Sequence, residues 1–199
     1  MRMNQQKTRR LVWISLLGAI SSILMLFEIV VPFVPTFIKL DISDVPVLLG
    51  GFLLGPVSGI YIALIKVLLH FVLKGSSTLG IGELVNFIGS VMFMLPAVLY
   101  YYRNRTNRRA IQSLLLGTCI VTITLLLLNY FVMFPLYASV MHFPLEAIVA
   151  ATNAVNSFVT DTFTLMVFAL LPFNLLKYVL ASVLTYILYE RVKPIIRGY

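Results

Sequence analysis

Apolar runs near twenty residues recur along this chain, and that recurrence restricts the fold more than any motif does. LVWISLLGAISSILMLF (11–27), VSGIYIALIKVLLHFVL (57–73) and LLLGTCIVTITLLLLNYFVMF (114–134) carry few or no charges. A helix rises about 1.5 Å per residue, so each run is long enough to cross a hydrocarbon layer of about 30 Å. Composition removes the soluble alternative: 60% of the 199 residues are hydrophobic and 11% charged. Soluble domains carry about one quarter charged residues, and a chain of mean hydropathy +1.00 has too few polar groups to cover its surface. The reading is an all-α integral membrane protein of one domain, residues 1–199. The first run does not read as a signal peptide, being too long and lacking a small-residue cleavage site.

Punctuation residues divide the chain into six predicted crossings. Helix 1 is predicted over about 11–31, ending before Pro32 and Pro35. Helix 2 starts near Asp44, a capping residue with Pro46 in the first turn, and stops at Gly55-Pro56, well short of a full span. Helices 3, 4 and 5 are predicted over 56–74, 83–102 and 111–137. The apolar stretch 147–189 is long enough for two crossings. However, Asn153, Asn156, Ser157, Thr160 and Asp161 are too dense for a lipid-facing span, and Pro172 suits the first position of a helix over 172–189. Residues 138–170 then form a long, partly helical excursion.

Charge orients this arrangement. Basic residues cluster at Arg2, Lys7, Arg9 and Arg10, at Arg103, Arg105, Arg108 and Arg109, and at Arg191, Lys193 and Arg197. Six crossings put all three clusters on one face, which the positive-inside rule makes cytoplasmic. Orientation and contact with anionic lipid account for the net charge of +8 without nucleic acid.

The remaining polar residues gather in the opposite half. Glu28, Asp41, Asp44, His70, Lys74, Glu83, Asn86, Asn129, Asn174 and Lys177 fall near the outer ends of helices, with Lys66 deeper. Ionisable groups within a bilayer are costly, so they turn inward, pair, or line a wet cavity. Glu28, Lys74 and Asp161 read as solvated, and Lys66 and His70 as paired with a carboxylate, ligand contact being the alternative. Asn129 and Lys177, in otherwise apolar helices, read as ligand contacts, and Cys119 as a small buried packing residue. The outer half holds no arginine, while Phe37, Phe71, Phe87, Tyr130, Phe134, Tyr137 and Phe173 lie at that level. A neutral, partly aromatic ligand with many hydrogen-bonding groups fits this better than a multiply charged one. No GxxxxGK[ST] loop, metal-ligand spacing (the histidines are His70 and His142) or nucleophile motif is present, so the chain does not read as an enzyme.

Taken in order, KLDISDVP, GP at 55 and 56, IKVLLH, GELVNFIG, LNYFVMFPLY and PFNLLK resemble the riboflavin-specific substrate-binding (S) subunit of energy-coupling factor (ECF) vitamin transporters, the RibU family. The resemblance runs from about residue 10 to 195. It implies a six-helix bundle with cytoplasmic termini in the cell membrane, capturing riboflavin from outside under the loop joining helices 1 and 2. Riboflavin is then the transported ligand, and no cofactor is implied. Glu83, Asn86, Asn129, Asn174 and Lys177 become ring or ribityl contacts, and Lys39, Leu40 and Asp41 lid residues. The implied partners are a membrane coupling subunit and two ABC-type ATPases. The family's small-residue contact on helix 1 corresponds to Ser15, Gly18, Ala19 and Ser22, a departure from two alanines. Two other readings stay open: a self-sufficient ion-coupled carrier with Lys66, His70 and Asp44 as relay, and an integral-membrane enzyme acting on lipid.

Overall fold

The computed structural model describes residues 2–36, 38–76, 78–140 and 144–197; Phe37 and His142, named above, lie outside them. In chain order come α1 (Arg2–Leu26), two short strands β1 (Ile29–Val30) and β2 (Lys39–Leu40), α2 (Asp44–Leu54), α3 (Pro56–Lys74), α4 (Ile81–Arg103) and α5 (Asn107–Leu128). Then follow α6 (Phe134–Val140), α7 (Leu145–Asn153), α8 (Thr162–Leu165) and α9 (Leu171–Arg197). A π-helical turn, Asn129–Met133, fuses α5 to α6, and a second, Met166–Leu170, fuses α8 to α9. Among the described residues, five helical stretches are long and apolar enough to cross a membrane, two of them these fused rods of 34 residues each.

The short helix α2 is the centre of the bundle. It has 11 residues, is apolar all round after Asp44 at its start, and is buried at every position from Asp44 to Leu53. A helix without a polar face has to be surrounded on all sides, and α1, α3, α4 and α9 supply that surround. Small residues let the rods close. A Cβ on Gly51 would sit 2.7 Å from Met94 Sδ, and one on Gly59 would sit 2.6 Å from Met94 Cε. The Gly51-xxx-Gly55-xxx-Gly59 series thus lets α2, α3 and α4 approach closely. Leu48, Ile62, Phe93, Met94, Val98 and Val121 fill this core. A second apolar cluster, around Phe134, Val159, Leu165 and Leu170, lies at the hairpin end, where Val34 joins it.

Four expectations need correction. The first helix ends at Leu26 rather than Val31, because Ile29 and Val30 pair antiparallel with Leu40 and Lys39. β-branched residues suit such a ladder, and the prolines at 32 and 35 fall in the connecting turn, where no ladder donor is needed. The last rod begins at Thr162, not at Pro172, so the excursion shrinks to the segment around α7. Asp161 accepts from Thr164 N at 2.8 Å while Thr164 Oγ1 accepts from Asp161 N, a reciprocal cap that starts the rod. Pro172 sits two residues beyond the end of a π turn. Its ring would crowd the Phe168 carbonyl, which instead accepts from Asn156 Nδ2 at 3.1 Å. The dense polar stretch is therefore turn chemistry. Cys119 is exposed on the perimeter rather than buried. Glu28 is paired rather than solvated, as described below.

A candidate binding cavity beneath the hairpin

The cavity is assembled by helix periodicity. Leu170, Phe173, Asn174, Lys177 and Tyr178 follow i, i+3, i+4, i+7, i+8 spacing and therefore share one face of the last rod. Gly82, Val85 and Asn86 do the same on α4. Asn129 enters from the π turn after α5, and its Nδ2 donates to Leu125 O at 2.7 Å. Extra-wide turns of this kind re-aim side chains and recur at functional sites. Together with Ile38, Lys39, Leu125 and Tyr137 these residues line a recess of about 610 Å³ that is partly open to its surroundings. An adjoining space of about 680 Å³ shares Lys39, Gly82 and Asn86, and adds Glu28, Asp41, His70, Lys74 and Glu83. One compartment is aromatic with amide groups; the other is charged.

Of the eight predicted contact residues, seven line one compartment or both. Leu40 lines neither and packs against the outer apolar cluster. The Asn86 Oδ1 is buried without a hydrogen-bond partner, an acceptor facing unfilled need. Glu83 accepts from Ser76 Oγ at 2.7 Å and lies 3.6 Å from His70 Nδ1. Ile38, Gly82, Val85, Leu125, Leu170 and Tyr178 were not singled out from sequence, although the spacing around Asn174 and Asn86 contains the signal for most of them.

Beneath the cavity runs a buried ionic chain. Lys177 Nζ, with its residue 7% exposed, donates to Asp41 Oδ2 at 2.8 Å, and Asp41 is 5% exposed. Asp41 also accepts from Ser43 N at 2.9 Å and from the Ser43 hydroxyl. Lys66, wholly buried, donates to Asp44 Oδ1 at 2.8 Å, Ser90 Oγ at 2.6 Å and Ser43 Oγ at 3.2 Å. Lys66 thus pairs with a carboxylate as its helix position suggested. His70 hydrogen-bonds to neither Lys66 nor Asp44, so the three do not form a continuous relay.

At the rim, Lys39 and Lys74 both donate to Glu28 Oε1 at 2.5 Å, tying the hairpin to the end of α3. Burial raises the Glu28 carboxyl, but the two ammonium groups outweigh it and hold it below its usual value of 4.5. Burial likewise raises Asp41, and Lys177 and Lys66 outweigh it further, holding it well below 3.8. Folded-state values below the unfolded ones mean stability that is complete above the unfolded pKa and lost as pH falls through the folded one. The thermal unfolding midpoint is therefore expected to change little between about pH 8 and 5 through these groups, and to fall below about pH 4. Scans across that range in one detergent check this.

A polar and aromatic cavity enclosed by apolar rods and tied under a hairpin defines a membrane-embedded component that binds a small molecule. Residues 9–189 match the family described as ECF transporter, substrate-specific component. The chain belongs to that family. It is 32% identical over 190 residues to the riboflavin transporter RibU of Staphylococcus aureus (strain TCH60), covering 96% of this chain and 93% of the relative. It is also 32% identical to the riboflavin transporter FmnP of Bacillus subtilis (strain 168), covering 94% of each. A solved structure described as the S component of a bacterial ECF transporter superposes with a TM-score of 0.76 at 31% identity, covering 96% of this chain and 99% of that one.

Proposed function

We propose that this chain is the riboflavin-binding component of an ECF transporter, with residues 1–199 acting as one binding domain in the cell membrane. The observation that carries the ligand assignment is the convergence of Asn86, Asn129, Asn174 and Lys177 with Tyr137, Phe173 and Tyr178 on one cavity. Riboflavin is a neutral flat ring system with imide donors and acceptors, bearing a chain of hydroxyls. Aromatic walls take the ring, amides and the Lys177 ammonium take its carbonyls and N–H, and Glu83 with the charged compartment takes the ribityl hydroxyls. The hairpin carrying Lys39 and Asp41 is the lid, with Leu40 fastening it to the apolar cluster. Saturable quenching of flavin fluorescence by the purified chain, one flavin per protein, is the expected result. A correctly folded preparation that leaves the fluorescence unchanged rules the reading out.

In this reading six rods cross the membrane: α1, α2, α3, α4, α5 with α6, and α8 with α9. The basic segments 2–10, 103–109 and 191–197 then share the cytoplasmic face. A binding component without nucleotide machinery needs partners for active uptake, here a membrane coupling subunit and two ABC-type ATPases. Of the residues suggested for that contact, Ser15 is exposed and Ala19 half-buried, whereas Gly18 and Ser22 are buried. A Cβ on Gly18 would sit 2.5 Å from Ile65 Cγ2 of α3. The proposed partner surface therefore narrows to Ser15 and Ala19, while Gly18 serves the α1–α3 packing.

A further inference from the structure

One face of α3 carries Lys66, His70 and Lys74, each four residues from the next, so the three follow one another toward the hairpin end. The two lysines each donate to a carboxylate, Lys66 to Asp44 Oδ1 and Lys74 to Glu28 Oε1. The imidazole between them does not. His70 is 5% exposed, and neither Nδ1 nor Nε2 has a hydrogen-bond partner among the described residues. Glu83 Oε1 lies 3.6 Å from Nδ1, outside hydrogen-bond range. Buried polar nitrogens are normally satisfied, and His70 is part of the wall of the charged compartment. Two unsatisfied nitrogens in a cavity wall point to a ligand group.

The charges around that wall select the kind of group. Glu28 is held by Lys39 and Lys74, and Asp41 by Lys177, so these ammonium groups already have their carboxylates. Glu83 differs: it accepts from Ser76 Oγ at 2.7 Å, and among the described residues no ammonium or guanidinium group pairs with it. The charge left for a ligand to meet is therefore negative, which favours a neutral donor over an anion. A hydroxyl both donates and accepts, as a neutral imidazole does through its two nitrogens. Neighbouring hydroxyls on one flexible chain therefore satisfy His70 and Glu83 together. Gly82 and Asn86 line both compartments, so a chain attached to a ring in the aromatic one enters the charged one beside them.

We propose, resting on the riboflavin reading above, that His70 is the residue that reads the ligand's side chain. It hydrogen-bonds a ribityl hydroxyl and so selects a hydroxylated flavin over the bare ring. This role is separable from ring recognition, because His70 lines only the charged compartment while Asn129, Phe173 and Asn174 line only the aromatic one.

The test compares riboflavin with lumiflavin, the same ring bearing a methyl group in place of the ribityl chain, by fluorescence titration of the purified full chain. The unaltered protein is expected to prefer riboflavin roughly thirtyfold. In His70→Leu, riboflavin affinity is expected to fall about tenfold, the size of one or two lost hydrogen bonds, with lumiflavin affinity kept within about twofold. His70→Gln, which restores a donor and an acceptor, is expected to recover most of the preference. His70→Ala, which asks no volume of the compartment, is titrated alongside and decides alone if the leucine variant does not fold. Riboflavin affinity unchanged in the apolar variants would overturn the proposal, and so would an equal loss for both flavins, since His70 would then only support the fold. An unaltered chain that binds neither flavin overturns the riboflavin reading itself, and this role with it.

Discussion

Riboflavin binding by a Lys177→Met variant is expected to be at least a hundredfold weaker than by the unaltered chain. Two losses combine. Lys177 touches the cavity and also holds Asp41 at 2.8 Å, both side chains being nearly dry. Methionine fills much of the lysine volume, so packing changes little, but the Asp41 carboxylate loses its counter-ion in a buried setting. Breaking a buried pair from one side costs about 3–5 kcal/mol. Part of that is relieved when the hairpin carrying Asp41 swings out to water, which uncovers the cavity. A charge-assisted hydrogen bond to a flavin carbonyl accounts for a further ~1.5–3 kcal/mol. A hundredfold change in affinity needs only about 2.7 kcal/mol, so the estimate sits at the cautious end. Asp41→Asn, which keeps an acceptor for Lys177 and strands no anion, is expected to weaken binding by about tenfold. Fluorescence titrations of the three proteins give the comparison. Affinity within threefold of the unaltered chain in Lys177→Met would remove Lys177 from the site.

How far the sequence carried depended on whether the governing interaction was local. The limits of α3 were legible to the residue, because Gly55-Pro56 and Gly75 mark them without help from the rest of the chain. The shortness of α2 was legible for the same reason. The end of α1 was not, since Ile29 and Val30 continue an apolar run and only their pairing with residues ten positions later makes them a strand. The start of the last rod was missed because a proline that normally opens a helix is tolerated within one when a π turn precedes it and a distant amide, Asn156, takes up the freed carbonyl. Asn129 and Lys177 stood out as polar residues in apolar helices, and both line the cavity. Glu28 read as solvated because nothing local reveals that Lys39 and Lys74 converge on one of its oxygens. Hydropathy fixes depth in the bilayer; it does not fix which way around a helix a group points.

The largest effect on stability is expected at Lys66, which lines neither cavity compartment. Its ammonium is wholly buried and makes three side-chain hydrogen bonds, one of them to the Asp44 carboxylate. Lys66→Met removes all three and leaves Asp44 as a buried anion whose Oδ2 already lacks a partner. The expected loss is about 3–5 kcal/mol, enough to lower the thermal unfolding midpoint sharply. Adding Asp44→Leu removes the stranded anion and replaces the pair with apolar volume. That exchange is often neutral for a buried pair, and here the two serines keep partners, Ser90 on the Asn86 carbonyl at 2.8 Å and Ser43 on Asp41. What remains lost is an acidic group in the first turn of α2, worth about 0.3–1 kcal/mol against the helix dipole. The double variant should therefore recover most of the midpoint lost by Lys66→Met alone. A dye-monitored thermal scan of the single and double variants in one detergent decides it. If the double variant unfolds lower still, the two substitutions act separately, and the Lys66–Asp44 pair is not what holds α2 against α3.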